Sequence, residues 1–302
     1  MSLAQIHEAV LMHTLDEPIP NGANVIFVSG FPLQLVRGNI VGEICDATGP
    51  SQLTRAGGGE DFIRKLEDDL VANFGATTNF NLPQGISEND VAVYAFAQIC
   101  PTFSPQFLAR ERGVTFGGND YPSFGVWKGE NEEARASLAG RVVVCHYGGP
   151  LDFVVELPSA TSGERIFVAR CRRESTLAAL ASHVTRCCRR SGSLWSKWFG
   201  GHRLRRGDVL KIPSFELRVV GIYSEMIGRR LPDHRPIVDA RHVVEVSFDG
   251  GGAESGGPSP LALGRGELYE RYFVCDGPFF VLLLDGNQTP KAALWIESMS
   301  HS

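Results

Sequence analysis

The sequence lacks most of the features that would assign an activity directly. It contains no C-x-x-C pair, no H-E-x-x-H, no nucleophile elbow and no G-x-x-x-x-G-K-[ST] loop. These absences argue against zinc sites, α/β-hydrolases and phosphate-loop NTPases. The net charge is only −5, so nothing indicates a nucleic-acid or membrane surface. We therefore expect no enzyme activity, no metal site and no cofactor.

Long apolar runs and a basic leader are also missing. No stretch approaches the roughly 20 apolar residues of a membrane span. The start, MSLAQIHEAVLMHTLDEPIP, has no basic n-region, which favours a short helix over residues 6–15 and not a signal peptide. A cytoplasmic location is expected, with leaderless secretion as the alternative.

The seven cysteines follow no pairing pattern. Only Cys187 and Cys188 are close in sequence, and adjacent cysteines rarely bridge. The set therefore predicts reduced thiols in a cytosol-like compartment.

Apolar periodicity predicts mainly helices in the front of the chain and strands in the back. Predicted helices cover 6–15, 32–49, 59–74, 104–113, 134–138, 174–190 and 223–231. Predicted strands cover 24–30, 90–100, 140–149, 150–160, 164–171, 207–221, 240–248, 268–276, 278–286 and 291–298. The remainder of 117–140 is expected to be irregular. This order, without βα repeats, predicts an α+β fold with mostly antiparallel sheets in a single domain, 1–302.

A Gly-, Ser- and Pro-rich segment, DGGGAESGGPSPLALGRG (249–266), separates two predicted strands near the C-terminus. Its composition alone favours a flexible surface loop. Its flanks change that interpretation.

Segments along nearly the whole chain resemble the serpin family in sequence order. They include VVEVSFDGGGAES (243–255), VLKIPSFELRVVGIYSEMIGRRL (209–231) and RYFVCDGPFFVLLLDGNQTPKAALWIESM (271–299). Earlier matches are ANVIFVSGFPLQLVRGNIVGEICDATGPSQL (23–53) and VAVYAFAQICPTFSPQFLARERGVTF (91–116). Without a leader, the chain resembles shortened, virus-encoded intracellular serpins, a resemblance that implies host–virus interaction and immune evasion. It also implies N-terminal helices and an exposed reactive-centre loop.

The resemblance makes residues 249–267 the reactive-centre loop. Its hinge would be Gly250, Gly251, Gly252, Ala253, Glu254 and Ser255. After cleavage the loop would enter a sheet as a new strand. Because successive side chains of a strand point to opposite faces, the inserted loop would turn Ala253 toward the core and Glu254 outward. Pro258 and Pro260 oppose this step, because proline cannot donate to a strand ladder.

The bait bond lies near Gly264, Arg265 and Gly266. Arg265 in the specificity position implies a trypsin-like serine protease, since a buried guanidinium needs a carboxylate partner. Leu263 in that role implies a chymotrypsin-like enzyme instead. The first hypothesis is therefore that the protein is a monomeric inhibitor that traps its target protease.

Departures from the serpin pattern leave a second hypothesis open. The segment 117–145 is too short for the usual helix, strand and hairpin, so a mid-chain strand and helix section is expected to be missing. A non-inhibitory serpin-fold binding protein would then act through a surface. The basic segment 186–206, with its two tryptophans, is the candidate polyanion-binding surface.

Overall fold

The computed structural model describes residues 4–5, 10–29, 47–49, 52–74, 85–127, 132–191, 203–231, 233–251 and 270–299. The chain divides into two compact units. Unit 1 comprises residues 1–29, 100–216 and 247–302, and unit 2 comprises residues 30–99 and 217–246. No helix in the described ranges is both long and apolar enough to cross a bilayer.

Unit 1 is built on a seven-stranded sheet, antiparallel except for one parallel pair at its edge. In spatial order the strands are β2 (Val10–Met12), β3 (Asn24–Val28), β17 (Pro290–Ile296), β16 (Phe279–Leu284), β11 (Arg165–Arg170), β10 (Asp152–Leu157) and β9 (Val143–Gly149). All six residues of β16 are buried. Continuous burial explains why this strand is an unbroken apolar run without polar alternation.

A helix, α3 (Leu177–Ser191), packs on this sheet. Leu177, Leu180 and Val184 are fully buried, and their spacing of three and four places them on one helical face. The Thr176 hydroxyl oxygen accepts a hydrogen bond from the Ala179 N–H at 3.1 Å, which satisfies a first-turn donor. The sequence prediction of this helix is confirmed.

A four-stranded sheet completes the strand architecture of unit 1. Its order is β15 (Tyr272–Val274), β12 (Val209–Pro213), β8 (Asn119–Val126) and β7 (Leu108–Phe116). A short helix, α2 (Glu132–Ala139), follows β8 in the chain. The two-residue β1 (Ala4–Gln5) pairs in parallel with Phe215 and Glu216.

Unit 2 is a sheet covered by a helix. Its strands, in order, are β13 (Phe215–Ile222), β14 (Ile237–Phe248), β6 (Val91–Ile99), β5 (Gln52–Gly57) and β4 (Ala47–Gly49). The first two residues of β13 and the last two of β14 belong to unit 1. Helix α1 (Gly59–Phe74) buries Leu66, Leu70 and Phe74 against β5, β6 and β14. The predicted helix over 59–74 is confirmed.

Three predicted helices are wrong. Residues 10–12 within the expected 6–15 helix form β2, and most of 104–113 lies in β7. Residues 223–231 form turns, with Gly228 at φ 84°. In the first two cases strand partners override local helix propensity. The structure also adds β8 within the region expected to be irregular. The predicted helix over 32–49 lies outside the described residues, except that 47–49 form β4.

The expectation that all thiols are reduced is also wrong. Cys145 on β9 and Cys188 on α3 form a disulfide across 43 residues of sequence. Cys145 belongs to the core between α3 and the seven-stranded sheet, and Cys188 is partly buried against that core. Neighbouring Cys187 remains a thiol, with its Sγ 3.7 Å from Nε2 of His183. The disulfide joins the last turns of α3 to the edge strand of the sheet.

Candidate functional site

Most of the predicted site lies outside the described residues. Gly250 and Gly251 are described, and the structure covers both points from which the segment 252–269 departs. The predicted residues outside the described ranges are Gly252, Ala253, Glu254, Ser255, Leu263, Gly264, Arg265 and Gly266. Residues 192–202 of the basic segment also lie outside them. The structure describes the chain on either side of the segment, at residues 249–251 (the N-terminal root) and 270–272 (the C-terminal root). It also describes β14, the strand that leads into the segment.

The N-terminal root is held tightly at Gly250. Its carbonyl oxygen accepts a hydrogen bond from the Phe107 N–H at 3.1 Å. A Cβ at this position would lie 2.6 Å from Cβ of Phe124, so a side chain there would force the neighbours apart. The next N–H, of Gly251, donates to Oδ1 of Asp249 at 2.7 Å. The chain thus leaves β14 through a defined bend at Asp249–Gly251.

Buried aromatic rings pack around Phe248, the residue that precedes this bend. Phe248, the last residue of β14, lies 5.4 Å from the ring centroids of both Phe124 and Phe215, and 6.0 Å from that of Phe103. All four rings are fully buried. Edge-to-face and tilted contacts of this kind add to the stabilisation from burial. The end of β14 is therefore a rigid point of departure.

The C-terminal root is fixed by a buried ion pair. Nη2 of Arg271 donates to Oδ2 of Asp208 at 2.6 Å, and the Arg271 N–H donates to Oδ1 at 3.1 Å. The Arg205 N–H donates to Oδ2 at 2.7 Å. Asp208 is 1% exposed, and a buried carboxylate needs several donors of this kind. The guanidinium also lies over the Phe273 ring at 5.3 Å. Immediately afterwards β15 joins β12 in parallel.

The strand that leads into the segment has a parallel neighbour. β14 pairs with β6 over nine register positions, from Ile237 opposite Val91 to Val246 opposite Ile99. A chain that turns back after β14 runs antiparallel to it. Because β6 is parallel to β14, the same returning chain is antiparallel to β6 as well. A strand placed between the two would have antiparallel ladders on both sides.

A buried histidine lies on this strand. His242 is 2% exposed, and its Nδ1 lies 2.9 Å from the hydroxyl of Tyr223. Burial holds the pKa of His242 well below 6.5. His242 is therefore neutral at physiological pH and is a buried part of unit 2.

We expect His242 to make unit 2 acid-sensitive. The unfolded chain binds a proton as the pH falls through about 6.5, whereas the folded site does not, so the free energy of unfolding falls below that pH by up to about 1.4 kcal/mol per pH unit. Above pH 7 this contribution is constant. Urea titrations of the wild type and His242→Gln at pH 7.5, 6.0 and 5.0 test this. The variant should lose part of the pH slope, and an unchanged slope would contradict the assignment.

Comparison with known proteins gives no match by sequence. No family model matches the chain. No curated protein matches it either.

Comparison of structures does give matches. Manduca sexta serine protease inhibitor (serpin)-12 superposes with a TM-score of 0.50 at 13% identity, covering 78% of this chain and 65% of that one. The chain has a serpin-like fold. Maspin matches with a TM-score of 0.49 at 11% identity, covering 79% of this chain and 66% of that one. Protease nexin-1 with heparin matches with a TM-score of 0.48 at 10% identity, covering 79% and 65%.

The serpin-like fold confirms the class predicted from the sequence and its shortened form. The chain spans about two thirds of the length of these solved structures. The hinge residues stay a prediction, and sequence reasoning missed Phe107 and Phe124 beside Gly250 and the Asp208–Arg271 pair.

Proposed function

We propose that the chain is a serpin-type inhibitor of serine proteases that presents residues 249–267 as bait. The observation that carries this proposal is the parallel pairing of β6 with β14, directly before the segment. The protease serine attacks the Arg265 carbonyl carbon, the amine of Gly266 leaves, and an acyl-enzyme forms. The freed segment then enters between β6 and β14 and carries the acylated protease with it.

The length of the segment suits this movement. Residues 252–265 number fourteen and reach about 45 Å when extended, at roughly 3.3 Å per residue. The nine paired positions of β6 and β14 cover about 30 Å at the same rise. The segment therefore has enough chain to span the ladder while Gly250 stays in its bend.

The small residues of the hinge suit the first part of the insertion. If the inserted segment alternates like an ordinary strand, its odd-numbered side chains turn toward the core. These residues are Gly251, Ala253, Ser255 and Gly257. Each is small and uncharged, so each can be buried without an unpaired charge. Glu254 faces outward.

The two prolines affect the second part. If the chain reverses tightly and Gly251 pairs with Phe248, then Pro258 comes level with Arg241 and Pro260 with Asp239. Residues two apart direct their N–H groups to the same neighbouring strand, so both prolines remove donors from one ladder. Each missing bond costs about 1–3 kcal/mol where it leaves a carbonyl unpaired. We expect insertion to slow at this level.

The prolines also favour a second candidate function. A segment that stops at Pro258 would be cleaved without trapping the protease. The protein would then be a non-inhibitory serpin-fold binding protein, and the basic segment 186–206 would be its surface for a polyanion.

Denaturing gels separate the two functions. The protein is mixed with a trypsin-like and a chymotrypsin-like protease, each also supplied as a serine-to-alanine variant that cannot acylate. The inhibitor function predicts an SDS-stable complex with an active protease, the trypsin-like one first, and none with the inactive form. Loop cleavage without any such complex would favour the binding function.

A further inference from the structure

Four of the seven cysteines of the chain lie on one core of unit 1. Cys145 belongs to that core, and Cys171, Cys187 and Cys188 are partly buried against it. Cys145 and Cys188 form a disulfide, whereas Cys171 and Cys187 are thiols. Because disulfides rearrange when a thiolate attacks one of their sulfurs, this core holds both the bond and the groups that exchange with it.

A bulge in β9 brings Cys145 to α3. The register between β9 and β10 shifts between Val154 and Val155, and the shift leaves Cys145 as an extra residue in β9. An extra residue of this kind redirects its side chain. The Cα atom of Cys145 lies 4.6 Å from that of Cys188. The strand therefore presents Cys145 to the last turns of the helix.

The two sulfurs of the disulfide differ in their access to solvent. Cys145 is buried, at 9% exposure, whereas Cys188 is only partly buried near the end of α3. A small thiol in solution therefore reaches the Cys188 sulfur first. Its thiolate bonds to that sulfur, and the Cys145 sulfur leaves with the electron pair. Cys145 stays beside this mixed disulfide, so the reverse attack closes the original bond again.

Cys187 gives the mixed disulfide a second course. It directly precedes Cys188, and its Sγ lies 3.7 Å from Nε2 of His183, one turn earlier in α3. A histidine beside a thiol favours the thiolate, which is the form that attacks disulfides. Cys187 is therefore a nucleophile next to the sulfur that the small thiol modifies.

Cys171 lies on the same core but lacks this character. Burial raises the pKa of Cys171 to about 12, and the charges of Asp152 and Glu174 add to the effect. Cys171 is therefore protonated at neutral pH and attacks disulfides slowly. It is a matched control for Cys187.

We propose that the Cys145–Cys188 disulfide is a modification site for small thiols such as glutathione, and that Cys187 takes the small thiol from Cys188. In this second step the Cys187 thiolate bonds to the sulfur of the small thiol, and Cys188 leaves with the electron pair. The two protons given up by the attacking thiols end on Cys145 and Cys188. One small thiol and one disulfide thus yield one mixed disulfide and two protein thiols, without an external oxidant.

Peptide mapping tests the site in the intact protein, independently of loop insertion. Protein purified without reductant is treated with millimolar reduced glutathione at neutral pH, and free thiols are blocked with N-ethylmaleimide at successive times. Fragment masses separate the adjacent residues 187 and 188. We expect glutathione on Cys187, with Cys145 and Cys188 blocked by the reagent. Glutathione that stays on Cys188, or a disulfide that remains closed, would overturn the proposal.

Serine variants isolate the part played by Cys187. Cys187→Ser should slow net opening of the disulfide about tenfold and leave glutathione on Cys188, while Cys171→Ser should stay within about twofold of wild type. His183→Gln should slow opening as well, because the thiolate is then less favoured. Wild-type rates in Cys187→Ser, or equal slowing in both serine variants, would contradict the transfer step.

Thermal melting shows what opening does to unit 1. The disulfide joins residues 43 apart in sequence, and its loss should lower the melting temperature by roughly 4–10 °C. Cys188→Ser should melt at this lower temperature, and glutathione should bring wild type to the same value without lowering the variant further. A variant that melts like the untreated wild type would show that the bond does not hold α3 and would overturn the site.

Discussion

Replacing Ala253 with arginine should turn the proposed inhibitor into a substrate of its target protease. In the proposed register Ala253 would turn inward when the loop inserts, and burying an unpaired guanidinium costs several kcal/mol. A cost of about 3 kcal/mol is enough to shift the partition between trapping and release by about a hundredfold. The measurement is the number of inhibitor molecules consumed per protease molecule inactivated, together with the yield of SDS-stable complex.

Glu254→Arg is the control for the same substitution on the other face. Residue 254 follows Ala253 directly, and in the proposed register its side chain would point outward because side chains alternate between the two faces of a strand. We therefore expect Glu254→Arg to change the complex yield little. The two arginine variants differ in one residue of register and by one unit of charge, since Glu254→Arg also removes a carboxylate. If both trap the protease equally well, or if both fail, the insertion register is wrong.

Arg265→Ala should slow the reaction with a trypsin-like protease by roughly 30-fold or more. Removing a guanidinium that pairs with a buried carboxylate in the protease pocket costs about 2–5 kcal/mol, or roughly 30-fold to several thousandfold in the association rate. Arg265→Lys should keep part of the rate because the charge remains. Stopped-flow or progress-curve measurements with both protease classes give the rate constants.

Leu263→Ala is the companion variant. With Arg265 in the specificity position, Leu263→Ala leaves the trypsin-like reaction nearly unchanged. If instead Leu263→Ala abolishes a chymotrypsin-like reaction while Arg265→Ala still traps, then Leu263 is the specificity residue.

Much of the C-terminal fold could be predicted because its signals are local. The six buried residues of β16 form a continuous apolar run, and Gly-, Asn- and Asp-containing turns separate it from its neighbours. Helices α1 and α3 each show one apolar face. In such segments the burial pattern is written directly into neighbouring residues.

The errors arose where distant partners decide local structure. LARERG at 108–113 has good helix formers, yet β8 pairs with it as a strand. The segment Val10–Met12 is short enough to form either a helical turn or a strand, and its pairing with β3 makes it a strand. Propensity is weak compared with such tertiary pairing.

The supports of the site could not be predicted for the same reason. Asp208 and Arg271 are 63 residues apart, and Phe107 is likewise far from Gly250 in sequence. Nothing near any of these residues indicates its partner. The parallel pairing of β12 with β15 brings Arg271 beside Asp208, and such a register depends on the whole topology.

The melting temperature before and after loop cleavage tests the account most directly. The protein is cut between Arg265 and Gly266, the cut is verified by mass spectrometry, and both forms are melted under the same conditions. A new central strand adds about ten ladder bonds worth roughly 1 kcal/mol each, and each kcal/mol raises the melting temperature of a chain of this size by about 2 °C. We predict a rise of about 20 °C in wild type and none in cleaved Ala253→Arg. A cleaved wild type that melts at or below the temperature of the intact protein would contradict insertion between β6 and β14.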